Sequence, residues 1–194
     1  MAMMRGVFER CLDDSRRLIE AVLADPGLLV GLESAGLLVA ECFRRRGRLF
    51  VCGNGGSLAD AMHVAEEFSG RFRNDRQPYP AIAFSDPSHM SCVANDYGFE
   101  YVFSRQVEAL GHAGDVLMLL STSGNSANLI EAAKSAKAIG VRVVGFLGKG
   151  GGMVAPLCDL SLVFPGKTSD RIQELQMLTL HALIEGVEKA LGHD

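Results

Sequence analysis

The chain has no excess of basic residues: 19 Lys plus Arg stand against 23 Asp plus Glu, a formal net charge of −4 over 194 residues. A protein built to hold nucleic acid or an anionic membrane surface needs a basic footprint, so neither partner is expected. Cysteine pairing signals are missing too. Cys11, Cys42, Cys52, Cys92 and Cys158 are odd in number, widely spaced and form no CxxC. That excludes a disulfide framework and a thiolate zinc site, and fits a reducing, cytoplasmic compartment. No apolar run reaches the roughly 20 uninterrupted residues of a membrane span, because Glu33 and Glu41 break the stretch from Leu28 to Phe43. The N-terminus lacks the basic segment, apolar run and small-residue cleavage site of a secretory signal. Nucleotide motifs are absent as well. A GxGxxG beginning at Gly53 needs glycine where Leu58 stands, and Lys149 is followed by Gly150 where a phosphate loop needs Ser or Thr.

What is present in excess is glycine, 22 residues in all, about 11% against a usual level of roughly 7%. No repeat, low-complexity tract or linker divides the chain, and 194 residues suffice for one domain with a buried core. Residues 1–46 read as two helices. Phe8, Leu12, Ile19, Val22 and Leu23 recur at helical steps, Asp25-Pro26-Gly27 interrupts them, and a second periodic run ends in Arg44-Arg45-Arg46-Gly47. From Arg48 onward short apolar runs alternate with turns and helical stretches: Leu49 to Cys52, Ala81 to Phe84, Val116 to Leu120, Val143 to Leu147 and Leu160 to Phe164. Continuous apolar strands separated by helices predict an α/β domain, a three-layer αβα sandwich around a parallel five-stranded sheet, with an N-terminal helical extension. Amphipathic helices outside a covered sandwich need a partner, and a second copy of the chain is the expected one.

In such sheets ligands bind beyond the carboxyl ends of the strands. The first of those loops, Gly53-Asn54-Gly55-Gly56-Ser57, exposes backbone N–H groups, with Asn54 and Ser57 as polar side chains at a helix N-terminus; Ser57 alternatively reads as an N-cap. After the third run, Ser121-Thr122-Ser123-Gly124-Asn125-Ser126 brings four hydroxyls to a positive helix end, which suits a dianionic phosphate held without lysine or arginine. His63 and Glu67 stand four residues apart, on one helix face and about 6 Å apart along its axis, able to share a metal or a substrate or to form a surface pair. Gln173 and His181 are eight residues apart, about 12 Å along a helix, so a common ligand is reached more easily when two subunits contribute, or when Gln173 lies in a distorted first turn. Alternatively Asp170 caps the helix with Gln173 closing a capping box, and His181 is a core histidine. Asn95-Asp96-Tyr97-Gly98 reads as a turn. Glu66, Asp115 and Asp159 read as solvated or strand-edge charges, His112 and His193 as lacking neighbours, and the eight Met as core filler.

Taken together, GNGGS, ADAMHVAEE, VANDYGFEYVFSRQVEALG, GDVLMLLSTSGNS, GKGGG and SDRIQELQMLTLHALIE resemble the sugar isomerase (SIS) domain family, specifically its phosphoheptose isomerase branch. The match runs from about Arg48 to the C-terminus. It implies one SIS-type, flavodoxin-like domain over residues 1–194, with helices 1–46 used in oligomerisation and an α/β core over 48–194. It also implies a cytoplasmic homotetramer with active sites between subunits, one zinc ion per site, and isomerisation of sedoheptulose 7-phosphate to D-glycero-D-manno-heptose 7-phosphate, which supplies heptose for bacterial surface polysaccharide. Carried onto matching positions, Asn54, Gly55, Gly56, Ser57, Asn95 and Asp96 contact the sugar phosphate. Ser121, Thr122, Ser123 and Ser126 bind its phosphate, and His63, Glu67, Gln173 and His181 hold the zinc, with Glu67 and Gln173 also facing substrate. A tetrameric relative that associates with a bacterial replication initiator shares GNG, STxGNS and RIQE but lacks the counterparts of Glu67 and His181, both kept here. The chain departs from the branch at Ser57-Leu58-Ala59-Asp60-Ala61-Met62-His63, usually SAADAQH, and at Ser85-Asp86-Pro87-Ser88-His89. In the reaction the resemblance implies, a proton moves between C1 and C2 through an enediol; Glu67 is the expected base and His181 the expected oxygen-side acid. Whether they act so or chiefly as metal ligands stays open at this level, as does the role of Gly148 to Gly152.

Overall fold

The computed structural model describes residues 2–193. Helix α1 (Ala2–Leu23) is followed by α2 (Pro26–Arg44), and the break between them is built as its sequence suggests. The Asp25 carboxylate accepts from Leu28 N at 3.0 Å, and Pro26 sits in the first turn, where its missing N–H costs nothing. Then come β1 (Leu49–Gly53), α3 (Gly56–Ser69), β2 (Ala81–Ala83), α4 (Pro87–Asp96), α5 (Ser104–Leu110), β3 (Val116–Ser121), α6 (Ala127–Ala138), β4 (Arg142–Leu147), β5 (Leu160–Val163) and α7 (Ser169–Ala190). All five strands are parallel, in the order β2-β1-β3-β4-β5.

Alternate side chains of each central strand enter opposite cores. Leu49, Val51, Val116, Met118 and Leu120 pack with α2, α3 and α7, while Phe50, Cys52, Leu117 and Leu119 pack with α4, α5 and α6. With both faces covered, β1, β3 and β4 are buried almost throughout, which is why they read as unbroken apolar runs.

The structure corrects the expectation that both N-terminal helices lie outside the sandwich. Leu28, Ala35, Val39 and Phe43 of α2 are buried, and Gly31 lies so close to β5 that a Cβ there would come within 2.5 Å of Leu162 Cδ2. Although α2 is long and apolar enough to cross a membrane, with mean hydropathy 1.4, its inner side is part of the domain core. Covering one face of five strands takes three helices, and α3 and α7 supply only two. Helix α1 is the true extension: Leu18, Ile19 and Val22 touch the core, whereas Met3, Met4, Phe8 and Leu12 are exposed.

Other expectations also change. Met118 is fully buried and Met90 and Met177 pack partly buried against the two cores, whereas Met3, Met4, Met62 and Met153 face outward. Of the two readings of Asp115 the strand-edge one holds: it is buried just before β3, accepting from the amides of Arg48 at 2.8 Å and His112 at 2.9 Å. His193 has a neighbour, with Nε2 2.5 Å from the Tyr79 hydroxyl.

Candidate active site

The chain runs from β1 out to β2 at one edge and returns to β3 on the other side of β1, so the loops after β1 and β3 are neighbours at a switch in winding direction. That crevice is where open α/β sheets take their ligands. In the first loop Gly55, with φ +57°, ψ −121°, turns the chain into α3 in a conformation closed to other residues. Gly56 makes room for a side chain, since a Cβ there would meet Gln173 Nε2 at 2.6 Å. Ser57 is no N-cap: it lies inside the first turn of α3, buried, 3.4 Å from Gln173 Nε2. Asn54 exchanges two amide hydrogen bonds with Asn128 at the start of α6, at 2.9 and 2.8 Å, tying the two loops together. Asn128, only 2% exposed, carried no signal in the sequence beyond its place after the serine loop.

The loop after β3 is organised by its own hydroxyls. Ser121 Oγ accepts from Gly124 N at 2.9 Å, Ser123 Oγ accepts from Asn125 N at 3.2 Å, and Thr122 Oγ1 donates to Ser169 Oγ at 3.1 Å across to α7. Ser126 is the N-cap residue of α6 yet makes no capping bond, so its hydroxyl is left over at the positive end of that helix. The glycine cluster 148–152 supports this loop. Gly148 N donates to Ser121 O, Val154 N to Gly124 O and Met153 N to Asn125 Oδ1, at 2.9 to 3.0 Å. The two backbones touch: a Cβ on Gly124 would lie 2.1 Å from Gly151 O, and one on Gly152 would lie 2.5 Å from Gly124 O.

His63, Glu67 and His181 meet on the neighbouring face. Their ligand atoms all lie within 4.8 Å of one another, with His63 Nε2 3.1 Å from Glu67 Oε1 and 3.4 Å from His181 Nε2. The i, i+4 spacing on α3 brings the first two together, and packing of α7 against α3 adds the third. One chain therefore supplies both histidines and the carboxylate. His181 is not a core histidine: it is half-buried, edge-on to His63 and stacked on Phe72 at 5.8 Å. A single imidazole N–H on His63 cannot serve a carboxylate and a second imidazole at full strength. Three nitrogen and oxygen ligand atoms within 4.8 Å of one another fit a divalent cation.

Helix α7 starts at Ser169, so Asp170 is not its cap, and the Thr168 hydroxyl bonded to the Asp170 carboxylate holds that carboxyl below its ordinary range. Gln173 is then at a regular helical position, its amide over Gly56 and Ser57 and two turns before His181. Asn95 and Asp96 form the last two residues of α4, not a turn. Both are exposed and joined by an Asn95 Nδ2 to Asp96 Oδ1 bond of 2.8 Å. Asp60, one turn before His63, is half-buried, and loss of hydration pushes its carboxyl pKa up against the opposing pull of His63.

Fold, switch-point loops and hydroxyl turn define an α/β domain of the SIS type. The SIS domain family matches residues 12–148, and the chain belongs to it. Phosphoheptose isomerase from Fusobacterium nucleatum is 54% identical over 159 residues, 82% of each chain. The one from Aeromonas hydrophila is 48% identical over 182 residues, 93% of this chain and 95% of the relative. Among solved structures, phosphoheptose isomerase from Neisseria gonorrhoeae superposes with a TM-score of 0.90 at 37% identity, covering 96% of this chain and 99% of that one. Within the SIS domains, the chain is a member of the phosphoheptose isomerase family.

Proposed function

We infer that this chain is an aldose–ketose isomerase that converts sedoheptulose 7-phosphate to D-glycero-D-manno-heptose 7-phosphate, a step of heptose supply. The observation that carries the reading is the meeting of His63, Glu67 and His181 beside a phosphate-type hydroxyl loop, in a chain with 54% identity to a phosphoheptose isomerase.

The phosphate is bound by Ser121, Thr122, Ser123 and Ser126 together with the amides of the first turn of α6; hydroxyls, N–H groups and a helix end replace the lysines this loop lacks. Asn54, Gly55, Gly56 and Ser57 line the sugar on the β1 side, and Asn95 and Asp96 reach it from the end of α4. Glu67 takes the proton from the carbon of the ketose and returns it to the neighbouring carbon. His181 carries the proton that moves between the two oxygens, and each such transfer is worth ~10²–10⁴-fold. His63, Glu67, His181 and Gln173 would hold a zinc ion, which when bound polarises the carbonyl and favours the enediolate.

The site works in a homotetramer, with active sites between subunits. The His63 side chain is 44% exposed, so the cluster is open on one side. The outer face of α2 shows Leu29, Val30 and Leu37 beside an apolar groove against α7, and α1 exposes Phe8 and Leu12. Faces of this kind are buried by a second copy. A cytoplasmic location accords with five free thiols, of which Cys42 and Cys158 have pKa values pushed up to about 11 and about 12 by burial.

The test is an isomerase assay with sedoheptulose 7-phosphate beside five- and six-carbon ketose phosphates, with and without a chelator. Turnover of the seven-carbon substrate, lost on chelation and restored by Zn2+, is the expected result. Faster turnover of a shorter ketose phosphate would overturn the substrate, and full activity after chelation would overturn the metal.

A further inference from the structure

We propose that Arg76, in the connection between α3 and β2, is a positioning residue that sets Glu67 against His181; the inference rests on the isomerase reading above. Arg76 lies far from any motif, and nothing in its sequence neighbourhood, Asn74-Asp75-Arg76-Gln77, marks it. Its side chain is nevertheless 2% exposed, which for a permanently charged guanidinium requires full pairing.

The partners explain the burial. Nη2 donates to Glu67 O at 2.7 Å, Nη1 to Phe68 O at 2.8 Å and to Gly70 O at 3.1 Å, and Nε donates to Glu188 Oε1 at 2.6 Å. Glu67 and Phe68 are in the last turn of α3, where carbonyls have no partner within the helix. The guanidinium therefore acts as the C-terminal cap of the helix that bears His63 and Glu67, and one of the carbonyls it holds belongs to Glu67 itself. Glu188 is on α7, seven residues or about 10 Å beyond His181 and on the same face. The rigid fork thus bridges α3 to α7 alongside the contact of His63 with His181, and fixes the rotation and height of one helix relative to the other. The ring of Tyr79 stacks beneath it at 5.1 Å.

Zn2+ alone is the probe, measured by competition with a chromogenic chelator on the full-length protein, beside kcat and KM for sedoheptulose 7-phosphate and a melting curve. Arg76→Lys keeps the charge and loses the fork. It is expected to fold, to bind Zn2+ about 10–100-fold more weakly, as loss of a group that holds a ligand residue in place does, and to lose kcat with KM kept within about twofold. Glu188→Gln, which keeps the carbonyl contacts and reduces the tie to α7 from an ion pair to a neutral hydrogen bond, is expected to show the same pattern at smaller amplitude. Variants that melt earlier but keep the parent's Zn2+ affinity and kcat would overturn the inference while leaving the isomerase reading intact. A parent that binds Zn2+ yet isomerises no ketose phosphate would overturn that reading, and Zn2+ affinity would still decide the role of Arg76. A parent that does neither overturns both.

Discussion

The hydroxyl loop after β3 and the histidine–carboxylate cluster between α3 and α7 are built in opposite ways. The loop is contiguous in sequence and shaped by backbone: Ser121, Ser123 and Asn125 bond within it, and Gly124 rests against Gly151 and Gly152. The cluster is made from side chains 118 residues apart, and its geometry depends on how two helices pack. A loop of donors without charged side chains suits an invariant dianion that must be held in ground and transition states alike. A cluster of titratable groups suits the end of the substrate where charge moves. Binding and chemistry thus depend on different parts of the fold, and each can be disturbed with limited effect on the other.

The largest effect is expected at the cluster. Glu67→Gln should lower kcat by ~10²–10⁴-fold while changing KM little, as read by steady-state kinetics. Extraction of the metal should likewise abolish turnover but leave binding of inorganic phosphate, followed by calorimetry, close to that of the untreated protein. Retention of activity, or loss of phosphate binding, would break the separation drawn above.

Next comes the loop. Gly124→Ala places a Cβ 2.1 Å from a backbone oxygen at a φ of +66°. It is expected to cost about 1–3 kcal/mol of stability and to weaken inorganic phosphate binding at least tenfold, with the Zn2+ affinity of the cluster unchanged. Ser126→Ala sharpens the contrast on a smaller scale. A serine that caps its helix is worth about 1 kcal/mol; Ser126 makes no such bond, so thermal stability should move by less than about 0.5 kcal/mol. Its KM should rise by about tenfold, the size of one hydrogen bond to a charged group.

The smallest effect concerns Asp60. Burial raises its folded-state pKa, so the folded protein holds that proton more tightly than the unfolded chain, and the ionised carboxylate costs stability as pH rises through the raised value. Asp60→Asn should therefore raise the melting temperature of metal-free protein at pH 7. The gain should vanish as pH falls below the ordinary aspartate range, about 3.9. A gain that persists in acid would mean that ionisation is not its source.

How much of this was legible in the sequence follows the same division. The five strands and the two loops show as contiguous patterns, because a buried parallel strand is apolar throughout and a phosphate turn is a local run of serine and glycine. His63 and Glu67 are legible as a pair because the helical period is local. Their meeting with His181 inside one subunit is not, since spacing along α7 says nothing about which helix it packs on. Arg76, Asn128 and Phe72 were silent for the same reason: each acts through partners distant in sequence. The glycines at 148–152 could be counted, but their contact with Gly124 depends on β3 and β4 being neighbours. Helix α2 reads in the sequence as an outer helix because amphipathicity marks an apolar face without telling whether the chain itself or a second copy covers it.

The central claim is that Glu67 moves a proton between the two carbons of a ketose phosphate held by the hydroxyl loop. It is tested most directly by running the reaction in D2O and following deuterium by NMR at C1 of sedoheptulose 7-phosphate and at C2 of its aldose product. The parent protein should incorporate solvent deuterium at the carbon that exchanges through the enediol, and Glu67→Gln, with phosphate binding intact, should incorporate none above background. Turnover or exchange at the parental rate in Glu67→Gln would contradict it.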